Sequence, residues 1–327
     1  MDKTFKALLI EEDNGTYTNK VVERNIDDLP EGDLLIKVSY SSLNYKDALS
    51  ASGNPGVTRN FPHTPGIDAV GEVAQSDSPS FKEGDKVIVT GYDLGMNTSG
   101  GFSEFIRVPS SWALRLPDKL TELDSMCLGT AGLTAGLSIY ALESFRGISN
   151  TKSIVTGSTG GVGSISVMLL SKLGSEVTAL SGKSDQEELL KGLGAKEVIS
   201  REQLPELTRL PIGKPLWDIG VDVVSGEILS LLLASLTPGG AVACSGLVGG
   251  PSFESSIFPF ILRGNTLIGI DSVEIPLEQK ENIWKLFADE WSLSLQDTTK
   301  IVSLEELGGE ISTILEGGQV GRVVLKI

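Results

Sequence analysis

The stretch SIVTGSTGGVGSISVMLL, Ser153–Leu170, decides how the chain is read. Ser153–Thr156 has the composition of a short strand, and Val162–Leu173 has the spacing of a helix stopped by Gly174. Between them lies Gly157-Ser158-Thr159-Gly160-Gly161-Val162-Gly163. Glycine permits a tight turn, close approach of the backbone to a pyrophosphate, and close helix–strand packing. A helix that starts there offers amide N–H groups and the positive end of its dipole to a phosphate. A glycine cluster alone is equally a plain strand–helix turn. The setting decides between the two, because a second strand, Glu176–Leu180, gives way at Ser181, 18 residues beyond Gly163, as a dinucleotide-binding unit requires.

The end of that second strand selects the cofactor. A site for NAD places Asp or Glu there to bind the ribose hydroxyls. This chain has Ser181-Gly182-Lys183-Ser184, and Arg201 follows the next strand. A hydroxyl with one or two cations suits a 2′-phosphate, which a carboxylate would repel. NADPH is therefore expected over NADH; the competing reading makes Lys183 and Arg201 ordinary surface charges.

Strands and helices alternate from about Thr121 onward, which predicts a parallel sheet with helices on both faces. The earlier part reads differently. Phe5–Ile10, Leu34–Ser41, Ala69–Ala74, Lys86–Thr90 and Phe102–Val108 are closely spaced strand-like runs, the pattern of a barrel-like β domain. Val323–Ile327 is a further strand that can rejoin it. The expected class is α/β, with a β-barrel domain over residues 1–122, completed by 296–327, and a doubly wound parallel-sheet domain over 123–295.

The totals narrow the function classes. A net charge of −16 over 327 residues argues against nucleic acid and against an anionic membrane surface as partners. Two cysteines, Cys127 and Cys244, are too few for a disulfide framework or a four-thiolate zinc site, and both sit in apolar runs as packing residues. MDKTFKALLIEED lacks the apolar core of a signal peptide, and no apolar run has the length of a membrane span, so a cytoplasmic protein is expected.

With these residues in view, the chain resembles the medium-chain dehydrogenase/reductase superfamily, in its zinc-free quinone oxidoreductase branch. SSLNYKDAL (Ser41–Leu49), NFPHTPGIDAVGEV (Asn60–Val73), GTAGLTAG (Gly129–Gly136) and FPFILRGNTLIGIDSV (Phe258–Val273) are similar to its acrylyl-CoA reductase group. The resemblance implies a GroES-like domain joined to a Rossmann domain, NADPH as cofactor, and reduction of the 2,3 double bond of acrylyl-CoA to propionyl-CoA. It also implies a homodimer. Zinc-bearing relatives carry a cysteine where this chain has Asn44 and a His-Glu pair where it has Ile67-Asp68. The single histidine, His63, reads as a loop residue, and no zinc is expected.

Without a metal, charge that develops on a thioester oxygen must be met by hydrogen-bond donors, and the α-carbon must receive a proton. Asn44, Tyr45 and Asp68 are the candidates for this work: Asn44 as an amide donor, Tyr45 against the nicotinamide ribose, Asp68 to orient the network or relay a proton. Asn44 and Asp68 are also residue types that cap turns and brace barrels. For the cofactor the candidates are Ser158–Gly163, Ser181, Gly182, Lys183, Arg201, Tyr45, Thr130 and Thr134, with Leu247 and Val248 after a parallel strand and Ile270 and Ser272 on the family's edge strand. Arg59 is the candidate for the phosphorylated handle of CoA. A quinone or enone reductase using the same pocket is the second reading, and a non-catalytic NADPH sensor the third.

Overall fold

The computed structural model of the chain describes residues 3–327. In chain order its elements are β1 (Thr4–Asp13), β2 (Thr16–Asn25), β3 (Leu34–Ser42), α1 (Tyr45–Ala51), β4 (Asp68–Ser76), β5 (Lys86–Thr90), β6 (Phe105–Val108), β7 (Ala113–Arg115) and α2 (Glu122–Arg146). There follow β8 (Lys152–Thr156), α3 (Gly161–Lys172), β9 (Glu176–Ser181), α4 (Glu187–Gly192), β10 (Ala195–Ser200), α5 (Leu204–Leu207), β11 (Trp217–Asp222), α6 (Gly226–Ala234), β12 (Leu236–Cys244), α7 (Phe258–Arg263) and β13 (Thr266–Gly269). The last are α8 (Leu277–Ala288), β14 (Thr299–Val302), α9 (Leu307–Leu315) and β15 (Arg322–Lys326). They form two compact units: one runs to Thr130 and resumes over Ser272–Ile327, the other is Ala131–Asp271.

In the first unit β14-β15-β3-β4-β5-β7 form one sheet, with β6 also paired to β3. The period of two along β3 explains its place: Leu34, Ile36 and Val38 point into a cluster with Val73, Val87, Val89, Ile106 and Val108. β15 pairs antiparallel with β3 and parallel with β14, so Val323–Ile327 does rejoin the first unit. β2, by contrast, has no buried residue and no apolar alternation; its long antiparallel register with β1 forms it, which local patterning does not reveal.

In the second unit the order is β10-β9-β8-β11-β12-β13, every pair parallel. Strand order reverses between β8 and β11, the place where such sheets open a crevice for a ligand. Apolar residues such as Ile154, Leu180, Leu229, Leu232 and Val242 fill the core beside them.

Gly129 breaks α2 with φ +53° and ψ −155°. The units divide at 130/131 and 271/272 rather than near 122 and 295. α8 accounts for the second shift: its buried Lys280 donates from Nζ to the carbonyls of Thr90 (2.6 Å) and Val273 (2.8 Å), binding that helix to the first unit. Among the described residues α2 is also the one helix long and apolar enough to cross a membrane by composition, and most of that apolar stretch is buried within the protein.

Candidate active site

The second unit holds a glycine-lined turn between a strand and a helix. β8 ends at Thr156, Gly157 turns the chain with φ +59°, and α3 starts at Gly161 with Gly160 as its cap and no capping side chain. A Cβ on Gly163 would lie 2.2 Å from Gly157 O, so only glycine lets the helix start this close to the turn. Ser158 is fully buried and its hydroxyl donates inward to Val155 O (2.7 Å); it shapes the turn. Thr159 is buried beside it, whereas Gly160, Gly161 and Val162 are partly open. The first amides of α3 and its dipole are what a pyrophosphate would meet.

β9 ends at Ser181, whose Oγ accepts from the Lys183 amide at 3.0 Å and folds the loop back. Arg201, just past β10, lies over that loop: a Cβ on Gly182 would stand 2.9 Å from Arg201 Nε. Burial, and then the Arg201 charge, lower the Lys183 ammonium below the usual lysine range, while Asp185 opposes them. A hydroxyl, an ammonium and a guanidinium thus converge on one loop. The fit to a phosphate is good.

The candidates that follow strands fall on the same side of the sheet, because parallel strands present their carboxyl ends together. Leu247 and Val248 follow β12 and are exposed; Ile270 follows β13, with its N–H on Cys244 O at 3.0 Å. Thr134 is buried on α2. Asp222, at the end of β11, was not singled out from the sequence. Its carboxylate accepts from Thr156 Oγ1 (2.7 Å) and from the Ser225 amide (2.9 Å), and so pins β8 to β11 at the crevice. Burial raises its carboxyl above the usual range. Ser225 is held at φ +67°, a conformation few non-glycine residues adopt. The available sequence signal was an acidic residue among the apolar Ile219, Val221, Val223 and Val224.

The first unit holds a buried polar cluster. Asp68, first residue of β4, is fully buried; its Oδ2 accepts from Ser42 Oγ (2.5 Å), Asn44 Nδ2 (2.8 Å) and Thr130 N (2.9 Å), and its Oδ1 from Thr130 Oγ1 (2.5 Å). Asp47 is equally buried and accepts from the backbone amides of Asn44 (2.8 Å), Gly66 (3.1 Å) and Ile67 (2.8 Å). Burial, reinforced by the Asp68 charge, pushes the Asp47 carboxyl up to about 7 against the pull of those amides. The cation of the cluster is Arg322, the first residue of β15. It donates to Cys127 O (3.1 Å), Leu43 O (3.1 Å), Ser42 Oγ (2.8 Å) and, at 3.5 Å, Asn44 Oδ1.

This arrangement sorts the first-unit candidates. The Asn44 amide also faces Ser42 O (3.2 Å) and Asp47 Oδ2 (3.3 Å), so its protons are directed into the cluster. Asp68 has four donors and no exposed atom through which to hand on a proton directly. Thr130 is bound to Asp68, and Tyr45 is half-buried at the first position of α1. Ser272 is buried in the first unit, so it and Ile270 belong to different units. Arg59 is exposed, with Nε on Pro55 O at 3.1 Å. Asp47 and Arg322 escaped the sequence reading; a lone arginine opening the apolar run VVL was the available signal.

Among the described residues no group of three His, Cys, Asp or Glu side chains could hold a metal ion. His63 is buried with Nε2 at 2.9 Å from Gly95 O, and burial lowers its pKa. Cys127 is buried, and burial pushes the Cys244 thiol up to about 11, so both thiols are unreactive in this setting. The donor set does not fit zinc, and no step is assigned to a metal.

Residues 30–118 match the family described as "Alcohol dehydrogenase GroES-like domain", and residues 161–289 the one described as "Zinc-binding dehydrogenase". The chain is 41% identical over 333 residues, all of both proteins, to "Putative quinone oxidoreductase YhfP" of Bacillus subtilis (strain 168). It is 39% identical over 326 residues, 99% of this chain and 100% of the relative, to "Probable acrylyl-CoA reductase AcuI" of Escherichia coli (strain K12). A crystal structure of E. coli K-12 YHDH with bound NADPH superposes with a TM-score of 0.94 at 39% identity, over 98% of this chain and 99% of that one. One of Bacillus subtilis yhfP with NAD bound gives 0.95 at 40% identity, over 99% of each.

Proposed function

The chain belongs to the medium-chain dehydrogenase/reductase superfamily of oxidoreductases, and from that membership we propose that it reduces the 2,3 double bond of acrylyl-CoA to propionyl-CoA with NADPH. The observation that carries this reading is the basic loop Ser181-Gly182-Lys183 with Arg201 across it, in a chain alike over its full length to a protein named acrylyl-CoA reductase. The E. coli structure with NADPH supports the cofactor.

Bound NADPH supplies the hydride that goes to the β-carbon of the enoyl thioester. The rest falls to the chain. The α3 amides hold the pyrophosphate, and Lys183 with Arg201 holds the 2′-phosphate. Asp68 fixes the Asn44 amide and Thr130, and through them the turn on which Tyr45 stands. Tyr45 then hydrogen-bonds the thioester oxygen as charge develops there, since Asn44 and Asp68 are engaged within the cluster, and a proton from water reaches the α-carbon to complete the saturated product.

A quinone reductase is the second reading. It is favoured by the 41% identity to a protein named as a quinone oxidoreductase, and NAD in the structure of Bacillus subtilis yhfP favours NADH with it. Oxidation of NADPH and of NADH is measured with acrylyl-CoA, crotonyl-CoA and a naphthoquinone. The first reading requires the highest kcat/KM with acrylyl-CoA and NADPH. A strong quinone preference reverses the order of the two.

A further inference from the structure

We propose that Arg322 is a positioning residue for the reduction, its guanidinium tying the turn that carries Asn44 and Tyr45 to the kink in α2. The inference rests on the reading of the first unit as the part that meets the substrate.

Arg322 begins β15, is 2% exposed, and donates to two other segments at once: Ser42, Leu43 and Asn44 where β3 leads into α1, and Cys127 within α2. Withdrawing a guanidinium from water is costly even after relaxation. A methionine or leucine there would tether β15 more cheaply. The charge is kept because it answers two buried carboxylates: Ser42 Oγ accepts from Arg322 at 2.8 Å and donates to Asp68 Oδ2 at 2.5 Å. Asp47 reaches the same Asp68 oxygen through the shared donor Asn44 Nδ2. With two acids to one base, the cluster is poised to hold a proton.

Gly129 is shaped to the same end. A Cβ there would lie 2.3 Å from Ser42 Oγ, 2.6 Å from Asp68 Oδ2 and 2.9 Å from the Arg322 guanidinium, so the kink admits the ionic groups that a side chain would push apart. Removing the cation releases the Asn44–Tyr45 turn and Thr130 together, while the cradle in the second unit keeps its own contacts.

The test compares the parent enzyme with Arg322→Met, Arg322→Lys and Gly129→Ala. Melting temperature, NADPH affinity, and kcat and KM for acrylyl-CoA and a quinone are read from about pH 5.5 to 9. All three variants are expected to bind NADPH within about twofold of the parent and to lose about tenfold or more in kcat, with smaller change in KM. The groups facing Arg322 are Asp47, Asp68 and Cys127, and loss of the cation pushes the already raised Asp47 carboxyl further up. The acidic limb of the rate profile therefore moves to higher pH in Arg322→Met and stays in place in Arg322→Lys. In Arg322→Met, a uniform loss at every pH with the limb unmoved, or no loss of kcat, overturns the proposal. If Arg322→Met does not fold, parental kcat in both Arg322→Lys and Gly129→Ala overturns it. If the parent turns over neither substrate, the functional reading has failed separately; the positioning claim is then decided by whether the pH dependence of melting shifts in Arg322→Met and not in Arg322→Lys, and an unshifted curve overturns it.

Discussion

At the scale of single residues, the basic loop after β9 makes the sharpest claim. Lys183 and Arg201 converge on Gly182, and each hydrogen bond to a charged group is worth about 1.5–3 kcal/mol. Lys183→Ala and Arg201→Ala should each weaken NADPH binding roughly ten- to a hundredfold and leave NADH nearly unchanged. Fluorescence titration with both nucleotides checks this; equal weakening of the two would mean that the loop does not discriminate the phosphate. That Arg201 lies beside the Gly182 loop was legible because strand, loop and cation are close in sequence. Asp47 and Arg322 were not, since a side chain such as Arg322 acquires its role only from partners such as Asn44, 278 residues away.

At the scale of elements, the joint between β8 and β11 is held by one carboxylate. Asp222→Ala leaves Thr156 Oγ1 and the Ser225 amide without their acceptor in a buried place, at about 1–3 kcal/mol each. The variant should melt well below the parent and bind NADPH more weakly, because Gly157 and Ser225 both flank that joint. An unchanged melting curve would remove Asp222 from its assigned place. The alternation of β8 to β13 with their helices could be read from sequence, since each turn is local and each strand apolar. The place of α8 could not be read locally, because long-range contacts such as those of Lys280 with Thr90 and Val273 join it to the first unit.

At the scale of the whole molecule, two further expectations follow. Asp47 has a folded pKa of about 7, raised from an unfolded value near 4. The folded protein therefore keeps a proton that the unfolded chain releases between those values, and this group's contribution to stability falls as pH rises through about 4 to 7. Asp222 adds to the same trend through its own raised carboxyl. Denaturant unfolding across that range should show Asp47→Asn less stable throughout but with a flatter dependence on pH; an identical slope in parent and variant refutes the assignment. The second expectation is a dimer. β13 is an edge strand, and the exposed Leu247, Val248, Ile257, Phe258, Ile261 and Leu262 lie in the segments just before it. Light scattering should give twice the 34.6 kDa of one chain, and charged substitutions at Ile261 and Leu262 should halve it.

β15 lies between β14 and β3, yet a ribosome delivers it only after all of Ala131–Asp271 has emerged. Until then the nascent β3 shows a bare hydrogen-bonding margin where β15 will dock, and Asp47 and Asp68 wait without their counter-charge. The nucleotide half, being one uninterrupted segment, is free to mature first. Birth order thus makes the first unit the late-assembling one, its margin open while translation proceeds.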